Sequence, residues 1–288
     1  MIMNRLTMLA VTLMASMACF AQGKFDKGLT TSIPQGVPVG ETFVYKELEY
    51  LVIENASGTY QTQVVGFCPA VLNNPNLMDN GDGNKFTPHS IEIPHYVPAD
   101  NAPAMLVLSV APDAFNTTNI SSTLAAKVTN MKIDYQGEME EVKNLNGEGG
   151  VVLPTTGSTF DGLTALTEVK PLAPADKVAP ISKSSFDASV YKTASLIVPE
   201  SEGSFLAYAK TAGWREFCKL YKNGSTTMLG DTNGDGKLTI GDAQNVLTLI
   251  AKIKAGTASY NEIYDINGDG KITIADAQDL ITKYQKSK

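Results

Sequence analysis

Apolar residues in the first three quarters of the chain come in short bursts, not in long helical stripes. The bursts are Phe43-Val44-Tyr45, Tyr50 to Ile53, Gln63-Val64-Val65, Ile91 to Pro94, Met105 to Val110, Val151 to Pro154 and Leu196 to Pro199. Each is bounded by Gly, Pro, Asn or Ser, which is the punctuation of strands. Three of them close on a proline, at Pro94, Pro154 and Pro199. Proline has no amide hydrogen to donate, so it ends a ladder, and its recurrence at strand ends suggests stacked turns. The pattern changes after about residue 224. Ala243, Val246, Leu247, Ile250 and Ile253 recur at spacings of three and four, as do Ala277, Leu280, Ile281 and Tyr284. Two amphipathic helices are predicted, each with one apolar stripe.

A repeat precedes these helices. Asp231-Thr-Asn-Gly-Asp-Gly-Lys-Leu-Thr-Ile-Gly-Asp242 returns 34 residues later as Asp265-Ile-Asn-Gly-Asp-Gly-Lys-Ile-Thr-Ile-Ala-Asp276. Calcium takes six to eight hard oxygen ligands, and a 12-residue loop supplies them from positions 1, 3, 5 and 12, a backbone carbonyl at 7 and often a water at 9. Asp231, Asn233, Asp235 and Asp242 fill the side-chain positions of the first loop; Asp265, Asn267, Asp269 and Asp276 fill those of the second. Lys237 and Lys271 would contribute only their carbonyls. Gly236 and Gly270 stand at position 6, where the turn needs a residue without a side chain. Position 12 is Asp and not the usual Glu, and Lys222 to Gly230 has no helical period, so the entering helix of an ordinary EF-hand is missing.

On those features residues 228–287 resemble a type I dockerin. The resemblance implies a small helical module folded around two Ca²⁺ ions that docks into a cohesin-like domain on another protein. It also implies partner contacts at loop positions 10 and 11, here Ile240 and Gly241, then Ile274 and Ala275. Those positions are often hydroxylic in cellulosomal members, which separates this chain from them. The two isoleucines could instead be core, and the module could be a stabilising cap and not a tether, because metal binding supplies folding energy by itself.

Residues Ser158 to Val169, Pro171 to Pro174, Ser185 to Asp187, Ala194 to Pro199 and Tyr208 to Phe217 resemble the last repeats of BspA-like leucine-rich-repeat surface proteins, as does Val110-Ala-Pro-Asp-Ala-Phe115. Thr42 to Val65 is similar to the entry cap of that family. The Pro-ended strands do not keep its period, so the repeats would be degenerate or interrupted. The expected fold is therefore mainly β: a leucine-rich-repeat-like β solenoid with irregular repeats, followed by a small all-α two-calcium module. The resemblance implies adhesion, with a protein or glycan ligand on the solenoid. Phe205, Tyr208, Trp214 and Phe217 would form a helix sealing its open end, a sugar-stacking platform being the alternative.

Composition narrows the function. A net charge of -7 argues against a nucleic-acid partner, and no stretch after residue 25 is long or apolar enough to span a bilayer. Met1 to Arg5 and the apolar run Leu6 to Ala15 read as an export signal cut after Ala21, with a lipoprotein built on Cys19 as the alternative. The chain would divide into a signal peptide (1–21), a leader (22–36), the β domain (37–224) and the calcium module (225–288). Cys68 and Cys218 read as unpaired buried thiols, a disulfide remaining open. Glu138, Glu140, Glu141 and Glu148 lack the apolar surroundings that would raise one carboxyl for glycoside hydrolysis, and read as a solvated edge. Asp79 to Asn84 reads as a turn, because it lacks an acid at position 12. His89 and His95 read as ordinary strand or loop residues. No catalytic residues are expected. The chain reads as an exported or cell-surface, non-enzymatic binding or adhesion protein, the alternative being an accessory subunit or enzyme of a polysaccharide-degrading assembly.

Overall fold

The computed structural model describes residues 37–56, 59–78, 89–97, 105–135 and 150–288. The expected signal peptide and leader, Cys19, the turn at Asp79 to Asn84, and Glu138, Glu140, Glu141 and Glu148 lie outside them. Among the described residues ten strands run in chain order: β1 (Thr42–Tyr45), β2 (Leu48–Ala56), β3 (Thr59–Phe67), β4 (His89–Ile93), β5 (Tyr96–Val97), β6 (Met105–Val110), β7 (Val128–Ile133), β8 (Glu168–Pro171), β9 (Ser195–Val198) and β10 (Lys219–Lys222). The α-helices are α1 (Pro69–Asn73), α2 (Ser122–Ala125), α3 (Ala188–Thr193), α4 (Ser204–Lys210), α5 (Ile240–Lys254) and α6 (Ile274–Ser287).

The strands sort into two five-stranded sheets, ordered β1-β2-β3-β6-β5 and β10-β9-β8-β7-β4. In the first sheet β1, β2 and β3 form an antiparallel meander, β6 joins β3 in parallel and β5 pairs antiparallel with β6. All pairs of the second sheet are parallel, as strands joined by crossovers must be. Alternation sets the inward faces. Leu48, Tyr50 and Val52 of β2, Leu196 and Val198 of β9, and Leu220 of β10 are buried, while the residues alternating with them are more exposed. Gly66 is required by a close approach: a Cβ there would meet the Ala114 carbonyl oxygen at 2.7 Å, and its φ is +145°.

A run of phenylalanines forms the core between the sheets and crossovers. Phe67 meets Phe115 edge-on, Phe115 and Phe160 are stacked, Phe160 and Phe186 are stacked, and Phe186 meets Phe217 edge-on, with ring centroids 5.1 to 5.7 Å apart. Such spacings fit the preferred geometries of aromatic pairs. Phe205, Tyr208, Trp214 and Phe217 are all buried. They are core residues, so a sugar-stacking platform is not built from them. Cys68 and Cys218 are both buried and are not joined to each other by a disulfide.

The mainly β, leucine-rich-repeat-like solenoid is overturned. The fold is mixed α/β, with two sheets and six α-helices among the described residues. The early strands belong to a separate, largely antiparallel sheet, which a solenoid of parallel turns does not contain. Prolines misled at one of the three strand ends: Val152 makes only an isolated bridge to Ser109, and no strand covers 151–154. Strands β7, β8 and β10 lacked a sequence signal because their outer faces carry Thr, Asn, Lys and Glu. Among the described residues, no helix is long and apolar enough to cross a membrane.

His89 begins β4, whereas His95 lies just past it, fully buried, with both ring nitrogens unpartnered among the described residues. Burial pulls its pKa below the ordinary 6.5, against an opposing pull from Asp134. The folded state thus prefers neutral imidazole, and the unfolded chain takes up a proton first as pH falls. Stability from this site is complete above about 6.5 and is lost as pH drops toward the lower folded value. Urea titrations between about pH 5 and 8 should show that loss, and His95→Leu should flatten it; an unchanged pH slope in the variant would rule out His95 as the source.

Candidate calcium loops

The chain enters the first loop from a sheet edge and not from a helix. Tyr221 of β10 bridges Met228, and the Leu229 amide donates to the Leu220 carbonyl at 2.9 Å. Each loop then wraps its own acidic side chains with backbone amides. Asp231 Oδ1 accepts from the amides of Gly234 (2.8 Å) and Asp235 (3.1 Å), and its Oδ2 from that of Gly236 (2.7 Å). Asn233 Oδ1 accepts from the Asp235 amide, and Asp235 Oδ1 from the Lys237 amide. The second loop repeats this. Asp265 accepts from the amides of Asp269 and Gly270, Asn267 from that of Asp269, and Asp269 from that of Lys271. Gly236 and Gly270 have φ of +78° and +84°, which excludes a side chain without strain. The Lys237 and Lys271 side chains are exposed.

The position-12 aspartates close both loops and start both helices. Asp242 Oδ1 accepts from the Thr232 amide at 2.9 Å and Oδ2 from the Thr239 amide at 2.8 Å; Asp276 does the same with Ile266 and Thr273, both at 2.8 Å. Thr239 and Thr273 are the N-caps of α5 and α6, and each forms a reciprocal capping box with its aspartate. The helix N-terminus favours the negative charge placed there. Asp's shorter reach suits this double role, since the carboxylate stays against the first turn.

Asp231, Asp242, Asp265 and Asp276 are buried, yet none has an ion-pair partner among the described residues. A buried carboxylate without a counter-charge is costly. Burial pushes Asp265 above the usual carboxylate range, opposed by hydrogen bonds from Tyr260 and Gly270 and reinforced by Asp276 and Asp269. Burial also pushes Asp242 up, but hydrogen bonds from Thr239 and Thr232 outweigh it and hold it low. Hard oxygens and buried negative charge without a Lys or Arg partner among the described residues fit Ca²⁺. Carboxylates alone do not complete a cage: no three His, Cys, Asp or Glu side chains converge as a ready site among the described residues. An ion in either loop would draw also on Asn233 or Asn267, the carbonyl of Lys237 or Lys271, and water.

Several participants were missed in the sequence. Tyr260 donates its hydroxyl to Asp265 Oδ2 at 2.8 Å. The Thr-x-x-Asp capping signals at Thr239 and Thr273 were readable, whereas Tyr260 has no local signature. The seam with the preceding region was also invisible. Lys283 Nζ donates to the carbonyls of Arg215 (2.8 Å) and Phe217 (2.6 Å), Lys286 pairs with Glu216 at 2.8 Å, and Lys222 pairs with Glu262. Desolvation at this seam pulls Lys283 down to about 8. Ile240 and Ile274 are exposed, at 54% and 61%, so neither is core. Gly241 and Ala275 beside them are exposed as well.

Residues 229–283 match the family model of the Dockerin type I domain. No curated protein and no solved structure matches the chain. The C-terminal module is therefore dockerin-like and of a calcium-binding class. Neither the fold nor the comparisons support the BspA-like resemblance of the region before it.

Proposed function

We propose that this protein is an exported, non-enzymatic binding component whose C-terminal module tethers residues 37–224 to a cohesin-bearing partner in a calcium-dependent way. The observation that carries this reading is the pair of dockerin-type loops, each holding buried, unpaired aspartates around which amide donors are already arranged. One ion per loop gives two Ca²⁺. In the first loop the ligands are Asp231, Asn233, Asp235, the Lys237 carbonyl and Asp242; in the second they are Asp265, Asn267, Asp269, the Lys271 carbonyl and Asp276. The ion supplies the positive charge the loops lack, and the protein's own residues position it.

Partner contact is assigned to Ile240 and Ile274 with the small residues Gly241 and Ala275. Exposed apolar side chains beside small ones let another surface approach closely. Leu247 and Ile281, two turns further along their helices, are 48% and 37% exposed and extend each patch. Binding of the full chain to a panel of purified cohesin domains, with calcium and with EDTA, tests the reading. Calcium-dependent capture is expected, and Ile240→Asp with Ile274→Asp should weaken it by at least about tenfold without lowering the calcium-bound melting temperature. Binding indifferent to EDTA, or no cohesin bound at all, overturns it.

A further inference from the structure

The two loops are nearly identical in sequence, but the fold treats them differently. Gly234 and Gly268 occupy the same position, with φ of +74° and +70°. Gly234 is exposed, and a Cβ added there would meet nothing within 4 Å. Gly268 is buried, and a Cβ there would lie 2.4 Å from the Leu206 carbonyl oxygen and 3.1 Å from the Lys210 amide nitrogen, both on α4. The second loop therefore rests its backbone directly on the preceding region, at a spot only a glycine can occupy. Other contacts converge there. Ile266 is 1% exposed, and α6 grips the Arg215 and Phe217 carbonyls through Lys283.

We propose that the second calcium loop is a latch: its closure around an ion seats the module on α4 and the Trp214–Glu216 turn, while the first loop binds its ion without resting on α4. This rests on the calcium reading of the loops given above. The contact exists only when the loop is closed. Without an ion, the like charges of Asp265, Asp269 and Asp276 repel one another, and only hydrogen bonds such as those to Asp265 from Tyr260, Asp269 and Gly270 oppose opening. Coupling is reciprocal, so the seat on α4 raises affinity at the second loop by as much as the ion strengthens the seat. The chain then carries one calcium site that reports only on itself and one that fixes how the module is held against the region it tethers.

Trp214 is the only tryptophan in the chain. It is buried, its ring nitrogen donates to the Ala179 carbonyl at 3.0 Å, and it directly precedes Arg215, whose carbonyl receives Lys283. Its fluorescence in the full chain is therefore a local reporter of the seam. Calcium titration, read by calorimetry for occupancy and by Trp214 emission and quenching for seating, tests the latch. Gly234→Ala and Gly268→Ala impose the same backbone strain, but only the second also strikes α4. Gly268→Ala should weaken one site at least about tenfold more than Gly234→Ala weakens the other, with Trp214 left in its calcium-free state. Asp231→Ala should leave the Trp214 response intact, whereas Asp265→Ala should abolish it with one ion still bound. Equal losses in the two glycine variants, or a Trp214 signal that ignores Asp265→Ala while calcium binds, overturns the latch alone. Failure of the full chain to bind calcium overturns the calcium reading together with it.

Discussion

Asp276→Ala should abolish calcium binding at the second loop and lower the stability of the calcium-bound module by about 3 kcal/mol. The lost half of the α6 capping box, the bond from the Thr273 amide to Asp276 Oδ2, contributes about 1 kcal/mol and an orphaned buried donor about 2 kcal/mol. That donor is the amide of Ile266, which is 1% exposed and now bonds to Asp276 Oδ1 at 2.8 Å. The loss of the ion adds to this in proportion to calcium concentration. Lys271→Ala should change little, because the lysine side chain is exposed and its amide, which Asp269 uses, survives the substitution. Calorimetry and thermal melts on both variants decide the matter: equal losses would remove Asp276 from the ligand set. In the unaltered chain EDTA should lower the helical signal, since six aspartates crowd two short loops. A helical signal and melting curve unmoved by chelation would separate folding from metal.

Phe160→Ala should cost about 3 to 5 kcal/mol. The ring is fully buried and stacked between Phe115 and Phe186, with centroids 5.7 and 5.1 Å away, so its removal opens a cavity in the middle of the aromatic run. The neighbours on both sides are held by backbone bonds between successive crossovers, Phe115 amide to Thr159 carbonyl and Phe160 amide to Ser185 carbonyl. They have little freedom to collapse into the space. Val152→Ala, at a site 61% exposed, should stay within about 0.5 kcal/mol. Urea titration measures both, and similar midpoints for the two variants would show that the run is not the core it is described as.

The calcium loops were legible in the sequence because their chemistry is local. All the side-chain oxygens of a loop come from 12 consecutive residues, the glycine turn sits at a fixed offset, and the helix that follows starts on the same aspartate that closes the loop. The apolar stripes of α5 and α6 were legible for the same reason, since three- and four-residue spacings are read within one element. Strands β1, β2, β3, β4, β6 and β9 are marked by their apolar runs. What they pair with is not, because Leu48 and Val64 carry no mark that assigns them to one sheet and Leu196 to another. Strands β7, β8 and β10 hid behind polar outer faces. Only the tertiary structure exposed Ile240 and Ile274, set Lys283 against carbonyls 66 and 68 residues away, and buried Gly268 while leaving Gly234 free. Two copies of one motif encode the same local geometry, but the environment of each is set by the chain packed beside it, and no local pattern carries that information.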